Sequence, residues 1–95
     1  MKDIQEILDS IKAQREKQIE KGYTVDHDLQ YKNGQLLLAA LTLVGFAHGQ
    51  TSGDNNFKEA KELWPFKNFS PSESVQDNLV QACSLIIAEI QKLSL

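Results

Sequence analysis

One cysteine, two prolines, one tryptophan and a single arginine are all that 95 residues contain of these types. The lone thiol, Cys83, excludes an internal disulfide framework and any cysteine-based zinc site. A surplus of positive charge is also missing. Ten basic residues face 13 acidic ones, a formal charge of −3, which argues against a general nucleic-acid binder. There is no long hydrophobic run either. The stretch Leu36 to Ala47, interrupted by Thr42 and Gly45, is too short to span a bilayer. The opening MKDIQEILDS carries charges every few residues and no apolar core, so no signal peptide and a cytoplasmic location are expected. No Gly-x-Ser-x-Gly elbow, phosphate loop or dinucleotide glycine pattern occurs.

What is there is an ordinary globular composition, 41% hydrophobic and 24% charged, with the helix as its dominant period. Ile4, Ile7, Leu8, Ile11 and Ile19 fall on one face of a segment from Asp3 to about Lys21. Asp3 and Glu6 have capping-box spacing, and Gly22 stands where a left-handed C-terminal cap belongs. Tyr23 to Lys32 reads as a loop or one irregular turn. A second helix is expected from about Gln30–Gly34 to Ala47, apolar all round and therefore buried on most sides. Two other helices cannot cover it fully, so self-association into a homo-oligomer is expected. His48 to Asn56 reads as a polar loop. Phe57 to Leu63 is expected as a short helix capped by Asp54 or Asn56 and stopped by Trp64-Pro65-Phe66. Trp64, Phe66 and Phe69 then fold back as an aromatic lid. Ser70-Pro71-Ser72-Glu73 predicts the start of a last helix running to about Leu93. Its expected core stripe is Val75, Leu79, Ala82, Cys83, Ile86, Ile90 and Leu93, widened by Val80 and Ile87. The expected architecture is one all-α domain over residues 1–95: a small three-helix bundle with a short extra helix and the lid.

Few residues carry chemistry. His27 lies between Asp26 and Asp28, a pattern open to a divalent metal. Turn capping by an aspartate with a local histidine hydrogen bond explains it as well. Cys83 falls on the predicted apolar stripe, where a thiol is a poor nucleophile. Glu6/Asp9 and Glu73/Asp77 sit near helix starts, where acids are favoured electrostatically, so no two-helix metal cage is assembled. Arg15, the only arginine among nine lysines, suits a bidentate grip. It is expected either to pair with Glu89 or Asp28, or to hold a phosphate or carboxylate with Tyr23 or Trp64 stacked on a ring.

Arg15-x-x-Gln18-Ile19-x-x-Gly22-Tyr23-Thr24-x-x-His27-Asp28 resembles the start of a family of small uncharacterised proteins of tailed phages and prophages. Gly34-Gln35-Leu36 with Ala39-Ala40, then Leu63-Trp64-Pro65-Phe66, are similar to later family segments. Leu79-Val80-x-Ala82 and Leu85-Ile86-x-Ala88-Glu89-Ile90 resemble its closing helix. The likeness spans about Arg15 to Leu93. This chain has Tyr23 where the family has tryptophan and Gln35 where it has glutamate. It also has Gln76, Asp77, Asn78 and Gln81 where the family has basic residues, and roles resting on those groups do not carry over. The resemblance implies a phage or prophage accessory protein that counters host defence, either by sequestering a nucleotide-like or other anionic ligand or by binding a host protein. Arg15, Gln18, Tyr23, His27, Asp28, Trp64 and Glu89 are the candidate ligand-binding residues. No catalytic residue, metal or cofactor is assigned, and neither a membrane nor general nucleic-acid binding is expected. Two alternatives stand beside this reading. One is a small metal-dependent nucleotide hydrolase using Asp26, His27, Asp28 and Glu89, and the other is a structural assembly protein.

Overall fold

The computed structural model describes residues 1–53 and 57–95, with the backbone alone for 57–59. The described residues form five helices: α1 (Ile4–Glu20), α2 (Val25–Asp28), α3 (Gln35–Ser52), α4 (Phe57–Leu63) and α5 (Val75–Leu93). No strand occurs among the described residues, and the small all-α bundle expected from the sequence is what forms. Three long helices make its frame, α4 is the short extra one, and α2 is a single helical turn within the expected loop. No helix among the described residues is long and apolar enough to cross a membrane.

The ends of α1 follow local chemistry. The Asp3 carboxylate accepts from the Glu6 amide at 2.8 Å. Beyond Lys21, Gly22 takes φ +101°. The Tyr23 amide then donates to Gln18 O and the Gly22 amide to Ile19 O, both at 3.0 Å, which is the Schellman pattern. The other long helices depart from expectation. α3 starts at Gln35 after Gly34 and continues to Ser52, with Gly53 at φ +75° closing it. Much of the expected polar loop is therefore helix. The proposed caps Asp54 and Asn56 lie outside the described residues. α5 starts at Val75, four residues later than Pro71. The Ser72 amide is already taken by Asn78 Oδ1 at 2.8 Å, and the real cap is Ser74, which accepts from the Asp77 amide at 3.2 Å.

α3 and α5 run antiparallel. Gln50, late in α3, accepts from Asn78 Nδ2 near the start of α5 at 2.8 Å, and Leu36 shares a wall with Leu85 and Ala88 at the other end. The core between them is Leu36, Ala39, Ala40 and Leu43 against Ala82, Leu85 and Ala88. Four of these seven are alanines, so the two backbones approach closely. α1 lies antiparallel on another flank of α5, where Arg15 meets Gln91 and Gln18 meets Ser84.

The expected core stripes are corrected here. On α1 only Arg15 is buried, while Ile4, Ile7, Leu8 and Ile19 are exposed and Ile11 is half-buried. On α5, Ala82 alone of the expected stripe is buried. Leu79, Ile86, Ile90 and Leu93 are exposed, and Val75 and Cys83 are half-buried. The inward line is instead Asn78, Ala82, Leu85 and Glu89, with Ser84 and Ala88 turned in beside it. Small and hydrogen-bonded residues face inward because helix contacts here are close and partly polar.

Candidate ligand-binding cavity

The site grows out of the end of α1. The Schellman turn aims the Tyr23 carbonyl back at Arg15, whose Nη1 donates to it at 3.0 Å. Thr24 caps α2 by accepting from the His27 amide at 3.3 Å. That single turn sets Asp28 against Arg15, with Oδ2 3.4 Å from Nη2. Arg15 Nε donates to Gln91 Oε1 at 2.8 Å, and Nη1 also reaches Gln18 Oε1 at 3.4 Å. Gln18 Nε2 donates to Ser84 Oγ at 2.7 Å, and that hydroxyl donates to Gln81 O at 2.6 Å. The Arg15 and Asp28 side chains are 5% and 3% exposed. Of the two expected partners for Arg15, the structure selects Asp28. A buried charge pair of this kind persists only where further hydrogen bonds satisfy both groups, and here they do. His27 Nδ1 lies 3.1 Å from Asp28 Oδ1, and Gln30 Nε2 lies 3.1 Å from His27 Nε2. These distances fit Nδ1–H donating to the carboxylate while Nε2 accepts from the amide.

Rings extend the site. Tyr23, His27, Tyr31, Phe66, Trp64, Phe69 and Phe46 form an unbroken chain, each ring centroid 5.1 to 5.7 Å from the next. All but the Trp64–Phe69 step are edge-to-face, an arrangement worth about 0.5–1.5 kcal/mol per pair beyond area burial. The chain ties the α1–α2 turn to the lid and the lid to α3. Pro65, between Trp64 and Phe66, has its φ fixed by its own ring.

Between these parts lies a cavity of about 650 Å³, within the usual range for small-molecule sites. Arg15, Asp28, Leu36, Leu85 and Ala88 are its buried wall, and Tyr31, Trp64, Pro65 and Phe66 supply its rings and apolar lid. The exposed Lys21, Tyr23, Lys67 and Asn68 stand at its mouth, and Gln14, Gln18 and Gln81 add amides. Its charged groups are three cations, Arg15, Lys21 and Lys67, and one carboxylate, Asp28. In a chain of net −3, that is a local reversal of sign. Trp64 also borders a smaller cavity of about 140 Å³ with Leu43 and Phe69. Its Nε1 is buried with no acceptor among the described residues. Burial and the nearby Asp28 and Tyr23 raise the Tyr31 phenol above its ordinary value.

Arg15, Gln18, Tyr23, Asp28 and Trp64, singled out from the sequence, all line this one cavity. His27 does not line it and stands behind Asp28. Glu89 is elsewhere: its Oε2 lies 2.9 Å from Lys92 Nζ, an ion pair off-line for a hydrogen bond, while Lys92 donates to Tyr31 O at 2.6 Å. The set Asp26, His27, Asp28 and Glu89 therefore does not converge, and among the described residues no three His, Cys, Asp or Glu side chains group to hold a metal. Lys21, Tyr31, Lys67 and Gln81 were missed by sequence reasoning. Lys21 and Lys67 read as solvated lysines until folding brings them to one opening. Apart from the phenols, the cavity wall carries no hydroxyl, thiol or imidazole among the described residues. Its groups hydrogen-bond, stack and attract negative charge.

Comparison with known protein families, with curated proteins and with solved structures finds no match to this chain.

Proposed function

We propose that this chain is a non-enzymatic binding protein that takes up a small, planar, anionic ligand of nucleotide-like chemistry and withholds it from other receptors. The observation that carries the reading is the cavity itself. It puts three cations against one carboxylate, a row of aromatic rings and four side-chain amides around one ligand-sized space in an otherwise acidic chain. Lys21 and Lys67 at the mouth suit a phosphate, the rings suit a base, and the amides suit the polar edge of that base. Burial of most of a small ligand's surface in such a pocket suits sequestration. The resemblance to phage and prophage proteins supports the same role as a stoichiometric counter to a host nucleotide signal.

The test is native mass spectrometry of gently purified protein, followed by calorimetric titration with nucleoside monophosphates, cyclic mononucleotides and cyclic dinucleotides. A retained mass or a saturable heat from one of these is expected. Lys21→Ala and Lys67→Ala should each weaken that binding about tenfold, the effect of about 1.4 kcal/mol, with the melting temperature unchanged. A protein that retains nothing and gives no heat with any of them overturns the reading.

A further inference from the structure

The bundle has two unlike sides. On α3, Phe46 touches the lid through Phe69, and on α5 Gln81 and Ala88 line the cavity. Leu79 and Ile86 stand two residues before Gln81 and Ala88, and Ile90 stands two after Ala88. Two residues are about 200° of helix, just over half a turn. Leu37 and Val44 stand likewise opposite Phe46. The exposed faces of α3 and α5 therefore share one side of the molecule, the side away from the cavity.

That side has a regular pattern. On α3 it carries Leu37, Leu41, Val44 and His48, and on α5 Leu79, Cys83, Ile86, Ile90 and Leu93. In both rows the steps alternate four and three residues, the a/d spacing of a coiled-coil seam. Neither row contains a lysine, arginine, aspartate or glutamate, although 24% of the chain is charged. The leucines, isoleucines and valine of the two rows are 39 to 73% exposed. Beside them Val80 and Ile87 are only half-buried. Gly45, next to Val44, has open space where a Cβ would stand, so nothing within the protomer requires a glycine at a mid-helix position where it costs about 1 kcal/mol.

We infer that a second copy of this chain covers this face, α3 and α5 of each copy combining into a four-helix bundle about a two-fold axis. Two rows at a/d spacing are met by helices carrying the same spacing, and the chain's own pair supplies them. A two-fold contact sets each patch against itself, so any charge near the axis meets its own like. A face without charge is free of that repulsion. At these exposures the seven aliphatic residues of the two rows leave roughly 700 Å² open per copy, close to the about 800 Å² per partner of a standard interface. The two cavities then open on the outer sides of the dimer, and the inference stands apart from what the cavity binds.

Sedimentation equilibrium of the full chain from micromolar to submillimolar concentration tests this. A mass of twice the protomer is expected, with a dissociation constant little changed between 0.05 and 1 M salt because neither row holds a lysine, arginine, aspartate or glutamate. Leu41→Glu and Ile90→Glu, at side chains exposed in the protomer, should each raise that constant at least a hundredfold with helical content intact. Ile4→Glu, on the exposed row of α1, should leave it unchanged. In the wild type the alkylation rate of Cys83, the sole thiol, should fall as concentration rises, a readout that requires no variant. A protomer mass at the highest concentration overturns the inference. So does a dimer that survives both glutamate variants, or one that is lost in Ile4→Glu.

Discussion

Arg15 donates from three nitrogens to Gln91, Gln18, Tyr23 and Asp28, and a lysine ammonium at the same place cannot span that fork. The residue thus joins α1, the turn after it, α2 and α5 while also forming buried wall in the cavity. Arg15→Ala leaves Asp28 buried without its counter-charge. The loss should be about 3–5 kcal/mol, the usual cost of breaking a buried pair, read as a shift in urea midpoint at pH 7. A change within about 0.5 kcal/mol, typical of surface positions, would show that the network contributes nothing. Its being the only arginine made it visible in the sequence. The choice of Asp28 over Glu89 was not visible, because it depends on a turn of four residues placed by tertiary contacts. Glu89 had its answer closer by, in Lys92 three residues on.

At the scale of elements, the features carried by neighbouring residues were legible. Asp3, Gly22 and the span of α1 follow from side chains within a few positions of one another. Gly22 at φ +101° cannot be replaced freely, since left-handed backbone costs an L-residue about 1–2 kcal/mol. Gly22→Ala should lower stability by that amount in a thermal melt and loosen the Tyr23 carbonyl from Arg15. What was not legible is where long-range partners override a local signal. The Ser70-Pro71-Ser72-Glu73 pattern has every mark of a helix start, yet buried Asn78 takes the Ser72 amide and carbonyl and the helix begins later. The most apolar row of α5 reads as core from the sequence, because burial ordinarily follows hydrophobicity. The structure turns that row outward and packs alanine, serine and asparagine inside.

For the molecule as a whole, the helical class followed from periodicity, whereas the cavity's sign of charge did not. Lys21 and Lys67 are 46 positions apart in the chain, and only the lid brings them to one opening. The aromatic belt also gives the fold a pH response. The Tyr31 phenol is raised above its ordinary value of 10.0, first by burial. A raised acid holds its proton in the folded state after the unfolded chain has lost it, so the associated stability is complete below pH 10 and falls as pH rises beyond it. Urea melts at pH 9 and 11 should show this loss, and Tyr31→Phe should reduce it, because phenylalanine keeps the ring contacts with His27 and Phe66 and removes the ionising hydroxyl.

The sole tryptophan sits inside the row of rings that joins Tyr23 to Phe46, and it borders both cavities. The molecule therefore carries its own optical gauge. Excitation of Tyr31 transfers directly through space to Trp64, two rings along the row. Emission from that one indole responds to whatever fills or dries the space beside it, so occupancy can be followed by fluorescence with no label attached.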